Sequence, residues 1–179
     1  MNKDKLNLWI FAGIVALVGL ALGNAWYQRQ RLVPVAVEAG AIQSFYAQKL
    51  VDLQGKTVDL SQYAGKPLVI NFWASWCPPC IAEMPGFSEY YKTNSAKDIK
   101  MVGIALDNPT SVRQFIGQHP VSYPILMGGP GGIALSTSLG NKDGGLPFTV
   151  VLDAKGDVVF QKTGMTSLDE LNKVVPAGK

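Results

Sequence analysis

The two cysteines of this 179-residue chain, Cys77 and Cys80, are separated only by two prolines. An apolar run, Leu68–Trp73, precedes them and has the composition of a strand buried on both faces. A helix is predicted to begin at Pro78, because proline is tolerated in the first turn of a helix. Residues three apart on a helix are neighbours, at a separation that suits a disulfide. This strand–Cys-x-x-Cys–helix context favours thiol–disulfide redox chemistry.

The two cysteines are predicted to have different roles. Cys77 would lie at the helix N-terminus, where free backbone N–H groups and the helix dipole favour a thiolate. We therefore predict that Cys77 is the attacking nucleophile. Cys80, one turn into the helix and more shielded, would resolve the mixed disulfide.

Other uses of the pair fit less well. A purely structural disulfide that closes so short a loop would stabilise the fold little. A four-ligand Cys/His metal site would need carboxylates, because His119 is the single histidine of the sequence. Haem attachment needs a histidine directly after the second cysteine, and that residue is Ile81. The sequence therefore predicts neither a metal nor a small cofactor.

The charge distribution argues against nucleic-acid binding. The net charge is +3, and this excess lies within residues 1–31. Residues 32–179 contain equal numbers of basic and acidic side chains. A nucleic-acid-binding domain would need a basic face of its own.

The N-terminal segment is strongly apolar. Residues 6–27 are interrupted only by Asn7 and Asn24, and about 20 such residues suffice for a transmembrane helix. Trp26 and Tyr27 end the run, as in an interfacial aromatic belt. We favour an uncleaved membrane anchor over residues 1–31; a cleaved secretory signal is the alternative. Either places residues 32–179, a single domain, outside the cytoplasm.

Hydrophobic patterns in the rest of the chain predict an α/β sandwich around a mixed sheet. Gly55 marks the turn of a β-hairpin. Ser167 and Glu170 have the spacing of a capping box at the start of the last helix. Strands are predicted at 51–53, 57–60, 68–73, 101–106, 123–127, 148–153 and 158–163, and helices from 78 and over 112–116, 133–139 and 168–175.

The stretch Asn71–Cys80 resembles the active-site segment of the thioredoxin superfamily, and Glu83-Met84-Pro85 and Gly145–Thr149 match further motifs. The resemblance is greatest to the membrane-anchored TlpA-like group, which includes cytochrome c biogenesis thioredoxins. It covers roughly residues 43–175. It implies a thioredoxin fold with an added N-terminal β-hairpin and a central insertion near residues 109–139.

The same resemblance assigns roles to three more residues. Pro147 is the candidate cis-proline beside the disulfide, Glu83 a candidate for proton transfer, and Trp76 a residue that shields the thiols and contacts partners. Simpler interpretations remain open: a trans-proline starting an edge strand, a first-turn glutamate, and a packing tryptophan.

Two departures from the thioredoxin pattern affect the chemistry. Thioredoxin has a buried aspartate six residues before its first cysteine, where this chain has Asn71. An amide cannot accept a proton, so Glu83 becomes the more plausible base. Pro78 and Pro79 lack N–H groups, which removes two potential donors to the Cys77 thiolate. We therefore expect a weaker oxidant than the strongly oxidising members of the superfamily.

The resemblance implies an extracytoplasmic thiol-disulfide oxidoreductase, and we favour a reductase of protein disulfides. Apocytochrome c cysteine pairs are candidate substrates, and a membrane protein of the DsbD or CcdA type is the implied electron donor. A disulfide-forming oxidase or isomerase, or a redox-inert binding module, are alternatives. A thiol peroxidase fits poorly, because Ala74 and Ile70 stand where its threonine or serine and its proline would be.

Overall fold

The computed structural model describes residues 13, 15–23 and 37–175. The chain divides into two units, residues 1–34 and 35–179. Residues 15–23 are helical, and we call this stretch α1. Among the described residues, no helix is long and apolar enough to cross a membrane. Most of the predicted anchor, residues 6–27, lies outside the described residues.

The second unit alternates strands and helices, as the sequence patterns predict, and it also begins with a helix over residues 41–46 that they did not predict. The strands are β1 (Lys49–Asp52), β2 (Thr57–Asp59), β3 (Leu68–Trp73), β4 (Lys100–Ala105), β5 (Ile125–Met127), β6 (Phe148–Leu152) and β7 (Val158–Thr163). The helices are α2 (Ala41–Tyr46), α3 (Pro78–Asn94), α4 (Pro109–Gln118), α5 (Gly132–Ser138) and α6 (Leu168–Val174).

The strands form one mixed sheet in the order β2-β1-β5-β4-β3-β6-β7. Strands β3, β4 and β5 are parallel neighbours, and the remaining pairs are antiparallel. The predicted hairpin, β1 and β2, extends one edge of the sheet through β5. The predicted insertion near residues 109–139 forms α4, β5 and α5, so it supplies one strand of the same sheet.

Helices cover both faces of the sheet, which is why the central strands contain so few polar residues. All six residues of β3 are buried. Helices α3, α4 and α6 pack on one face with Val69, Trp73 and both cysteines, and we call this the disulfide face. Helices α2 and α5 pack on the other face with Ile70 and Phe72, and we call this the aliphatic–aromatic face.

Local signals explain where the helices begin. Helix α3 begins with two prolines after Cys77, whose sulfur is the N-cap acceptor. Asn108 caps α4 through the N–H of Ser111. The predicted capping box of Ser167 and Glu170 is present at the start of α6. These contacts satisfy backbone N–H groups that the first turn of each helix leaves without a partner.

Candidate active site

The disulfide lies where β3 leads into α3. Cys77 and Cys80 are bonded to each other, with their Cα atoms 5.3 Å apart. The N–H of Cys80 donates a hydrogen bond to Sγ of Cys77 at 3.3 Å. Pro78 and Pro79 occupy the intervening positions and have no N–H to donate. Within this first turn, Sγ of Cys77 therefore accepts one backbone hydrogen bond. Residues other than proline at positions 78 and 79 would provide further N–H donors.

The two cysteines and the neighbouring tryptophan differ in exposure. Cys77 is 4% exposed and Cys80 is completely buried, and the attacking and resolving roles of the two cysteines remain predictions. Trp76 is 67% exposed, so the interpretation of this residue as a packing tryptophan is wrong. A large, exposed aromatic ring directly before Cys77 is suited to contact with a partner.

Glu83 lies beneath this surface, one turn beyond Cys80 on α3 and therefore on a neighbouring part of the helix face. The residue is 4% exposed. The side-chain amide of Asn71 donates to Oε1 of Glu83 at 2.7 Å. The backbone N–H of Thr166 donates to Oε2 at 2.8 Å. Both carboxylate oxygens thus have a donor, which makes Glu83 more than a first-turn glutamate exposed to solvent.

The environment of Glu83 gives its carboxyl group an unusual proton affinity. Burial raises its pKa from the ordinary value of 4.5 to about 7, and the hydrogen bonds from Thr166 and Asn71 and the charge of Lys162 only partly oppose this. Removing a carboxylate from water disfavours its charged form. A group with a pKa near neutrality can both accept and donate a proton at physiological pH.

Asn71 occupies the position at which thioredoxin has its buried aspartate. Its amide bridges Glu83 and the hydroxyl of Thr149 on β6, at 2.7 and 3.3 Å. This contact is possible because Asn71 pairs with Thr149 across β3 and β6. The amide donates to a carboxyl group that the sequence places three residues after the second cysteine. The structure thus links the first departure from the thioredoxin pattern, Asn71, directly to the candidate base Glu83.

The loop before β6 reaches the same end of the sheet. The Leu146–Pro147 peptide bond is cis, as the resemblance implies. Phe148, the next residue, pairs with Phe72 near the end of β3, so Pro147 lies at the edge from which Cys77 emerges. The carbonyl oxygen of Pro147 accepts a hydrogen bond from the N–H of Gly164 at 2.8 Å. This bond ties the cis-proline loop to the segment that carries Thr166.

Sequence reasoning missed Thr166 as a partner of Glu83. The two residues are 83 positions apart, and Thr166 acts through its backbone N–H, which every residue except proline has. No local pattern could therefore have identified it. In contrast, Cys77, Cys80, Glu83, Pro147 and Trp76 were all found from short motifs, although their catalytic roles remain predictions.

The chemistry available to this arrangement is exchange between thiols and disulfides. In the part of the chain that the structure describes, no group of three or more His, Cys, Asp or Glu side chains could hold a metal ion. His119, at the end of α4, is exposed and stacks near Phe115, with 4.7 Å between ring centroids.

Comparisons with known proteins agree with this geometry. The family model described as Redoxin matches residues 34–175. The thiol-disulfide oxidoreductase ResA of Halalkalibacterium halodurans is 27% identical over 165 residues, which cover 92% of this chain and 90% of that protein.

Solved structures give the same result. A thioredoxin-related protein from Neisseria meningitidis serogroup B is 35% identical, with a TM-score of 0.62, over 70% of this chain and 94% of its own. A thiol:disulfide interchange protein of the thioredoxin family from Chlorobium tepidum is 29% identical, with a TM-score of 0.63, over 70% and 88% of the two chains. The chain therefore belongs to the Redoxin family, as a TlpA-like thiol-disulfide oxidoreductase of the thioredoxin superfamily.

Proposed function

We propose that this protein is a membrane-anchored reductase of protein disulfides that works outside the cytoplasm. The observation that carries the proposal is the Cys77–Cys80 pair at the start of α3, with the buried carboxyl group of Glu83 one turn further along. Trp76 and the cis-proline loop around Pro147 lie at the same end of the sheet and would receive the substrate chain.

The reaction begins with the reduced pair. The Cys77 thiolate attacks one sulfur of the substrate disulfide, forms a mixed disulfide, and releases the other substrate sulfur as a thiolate that takes up a proton. Cys80 then loses its proton and attacks Sγ of Cys77. This step forms the Cys77–Cys80 bond and releases the second substrate thiol. The substrate gains two electrons from the cysteine pair and two protons: one comes from Cys80, and the other from water, which took up the Cys77 proton when the thiolate formed.

Glu83 has a defined task in the second step. A thiol is a poor nucleophile until it loses its proton. With its pKa raised to about 7 by burial, the carboxylate form of Glu83 can accept the proton of Cys80 and later return it to a released thiolate. Asn71 and Thr166 hold both carboxylate oxygens, which orients the group for this exchange.

The prolines after Cys77 support the reducing direction. A thiolate is stabilised by N–H groups of the first helical turn, and two of these are missing. A reduced form that is less stabilised gives up electrons more readily, which makes the pair a weaker oxidant.

The proposed cellular location, substrates and electron donor of the protein are supported by its sequence and by its resemblance to known proteins. The apolar run over residues 6–27 supports a membrane anchor, with the body on the periplasmic or extracytoplasmic side. The resemblance to cytochrome c biogenesis thioredoxins supports apocytochrome c cysteine pairs as substrates. It also supports a membrane electron donor of the DsbD or CcdA type, which would reduce the Cys77–Cys80 bond again after each turnover.

The equilibrium reduction potential tests the direction of electron flow. The full chain in detergent would be equilibrated with glutathione or dithiothreitol buffers, and the fraction of reduced Cys77 measured by mass spectrometry after alkylation. Thiol-disulfide proteins of this fold range from about −270 mV for thioredoxin to about −120 mV for the strongest oxidant. We expect a value near the thioredoxin end. A value near the oxidising end would make the protein a disulfide-forming oxidase with the same fold and cysteines.

A further inference from the structure

Asp107 is a half-buried residue just beyond the end of β4, and the active-site motif does not include it. Its Oδ2 accepts hydrogen bonds from the N–H of Ser75 at 3.1 Å and from the hydroxyl of Ser75 at 2.5 Å. Its Oδ1 accepts from the N–H and the side-chain amide of Asn108, at 2.7 and 3.3 Å. Hydrogen bonds to a carboxylate are about twice as strong as those between neutral groups.

The sheet explains how two residues 32 positions apart meet. Strands β3 and β4 are parallel neighbours, with Trp73 in register with Ala105. The carboxyl ends of both strands therefore lie at the same edge, and the turn after β3 faces the turn after β4. The N–H of Leu106 donates to the carbonyl oxygen of Trp73 at 2.8 Å, which continues the pairing to the position before Asp107.

The segment that Asp107 holds leads directly to the reactive sulfur. The N–H of Cys77 donates to the carbonyl oxygen of Ala74 at 3.2 Å, which closes a turn around Ser75 and Trp76. Trp76 is 67% exposed, so packing restrains its side chain little. Its orientation then depends on the backbone of the turn, which the two hydrogen bonds from Ser75 to Asp107 hold in place.

We infer that Asp107 is a positioning residue for the exchange reaction, which fixes Ser75 and thereby presents Trp76 to a polypeptide substrate. The inference rests on the proposed function, because it assigns Trp76 to substrate contact. Asp107 acts through Ser75, and its carboxylate takes no part in bond making at sulfur. Its effect should therefore depend on the size of the disulfide that is reduced.

The test compares two substrates with the full, pre-reduced chain in detergent. Second-order rate constants would be measured with insulin and with the small hydroxyethyl disulfide. For Asp107→Ala we expect the rate constant with insulin to fall about tenfold and that with the small disulfide to stay within about twofold. In a Trp76→Ala background, Asp107→Ala should cause no further loss with insulin, because residues that act together are not additive.

Asp52 provides a matched control. Its carboxylate also holds a turn, through the N–H groups of Gln54 and Lys56, both at 2.9 Å, but this turn joins β1 to β2. Asp52→Ala should leave both rate constants unchanged. If Asp107→Ala does not fold, Asp107→Asn keeps the size of the side chain and one acceptor oxygen, and should show the same substrate dependence with a smaller loss.

Equal losses on both substrates, no loss with insulin, or a further loss in the Trp76→Ala background would each overturn the inference. Acrylamide quenching of Trp76 fluorescence, taken as the difference from Trp76→Phe, tests it without turnover. Asp107→Ala should change this quenching, and unchanged quenching would contradict the inference. If the wild-type chain reduces neither disulfide, the proposed function fails, and the fluorescence result still decides whether Asp107 positions Trp76.

Discussion

The two faces of the sheet are made from the same strands but bury different kinds of side chain. The aliphatic–aromatic face packs Ile70 and Phe72 of β3 against α2 and α5. On the disulfide face, β3 contributes Asn71 and Trp73 instead, since successive residues of a strand point to opposite sides. Asn71 and the residues it contacts, Glu83 and Thr149, are buried polar groups.

The buried polar groups of the disulfide face lower the stability of the fold, and they lie close to the candidate active site. On the disulfide face, four buried polar atoms make no hydrogen bond within the described residues: Asn71 Oδ1, Trp73 Nε1, Tyr123 Oη and Thr166 Oγ1. The aliphatic–aromatic face has one such atom, Tyr46 Oη. A buried polar atom without a partner costs about 1–3 kcal/mol. One face of the sheet therefore supplies the reactive and titratable groups. The other face supplies apolar packing, whose stabilisation offsets the free energy lost at the buried polar atoms.

The largest expected effect is the loss of activity when a cysteine of the disulfide face is replaced. Cys77→Ser should abolish disulfide reduction, because the hydroxyl group cannot form the mixed disulfide. Cys80→Ser should instead accumulate the mixed disulfide with substrate, since the resolving thiol is missing. Both outcomes can be measured by mass spectrometry under non-reducing conditions. Substantial turnover by Cys77→Ser would mean that Cys80 attacks substrate directly, against its complete burial.

A core substitution tests whether the other face serves stability alone. Phe72 is completely buried, with its ring centroid 6.1 Å from that of Phe148. Phe72→Ala should lower the free energy of unfolding by about 3–5 kcal/mol through lost burial and the cavity left behind. Denaturant titration measures this loss. The rate constant per folded molecule should not change; a changed rate would show that the two faces are coupled.

A third substitution tests the titratable group through the pH dependence of stability. The raised pKa of Glu83, about 7, means that the folded state holds a proton which the unfolded chain releases near 4.5. The stability contributed by this proton is present below pH 4.5 and is lost as the pH rises through 7. Glu83→Gln should therefore gain on the order of 2 kcal/mol relative to wild type between pH 5 and pH 8.

Unfolding of the oxidised proteins at pH 5 and pH 8 measures this difference. Glu89→Gln is the matched control, because Glu89 is on the same helix but exposed. Glu83→Gln should also remove the step near pH 7 from the pH profile of disulfide reduction. If Glu83→Gln and Glu89→Gln show the same pH dependence of stability, Glu83 is not the group that makes the disulfide face sensitive to pH.

The smallest expected effect concerns the capping box beside Thr166. Ser167 accepts a hydrogen bond from the N–H of Glu170 at 3.2 Å. Ser167→Ala should lower the free energy of unfolding by about 1 kcal/mol, as for other N-caps. Thermal unfolding measures this loss. The pH at which the rate of disulfide reduction changes should be the same as in the wild type. A shifted profile would mean that the start of α6 also sets the pKa of Glu83, through Thr166.

Apart from helix α2, the elements of the fold followed from local patterns, because each pattern reports a local physical constraint. The apolar run Leu68–Trp73 had to be a buried strand, and the prolines after Cys77 allowed a helix to begin there and nowhere earlier. The β1–β2 hairpin followed from the turn at Gly55, which has a φ of +82°. Strand order could not be predicted in this way, because pairing of β5 with β1 depends on contacts far apart in the chain.

The candidate site also has features that local motifs predict and features that depend on strand pairing. The Cys-x-x-Cys motif was enough to select Cys77 and Cys80, because their spacing is itself the chemical requirement. Glu83 was selected through the resemblance to the thioredoxin superfamily. The contacts of Asp107 with Ser75 were not predictable. They exist only because β3 and β4 are adjacent and parallel, which brings the ends of two strands together.

The sequence by itself determined which reaction this protein can perform, since two cysteines at the start of a helix need only local geometry to form and break a disulfide. Only the tertiary structure decided the proton affinity of Glu83. Its carboxyl group has a pKa near neutrality because the packed chain removes it from water, while the hydrogen bonds from Asn71 of β3 and from Thr166, 83 residues away, only partly oppose this. Burial and hydrogen bonding are properties of the packed chain, and the spacing of residues along a sequence does not contain them.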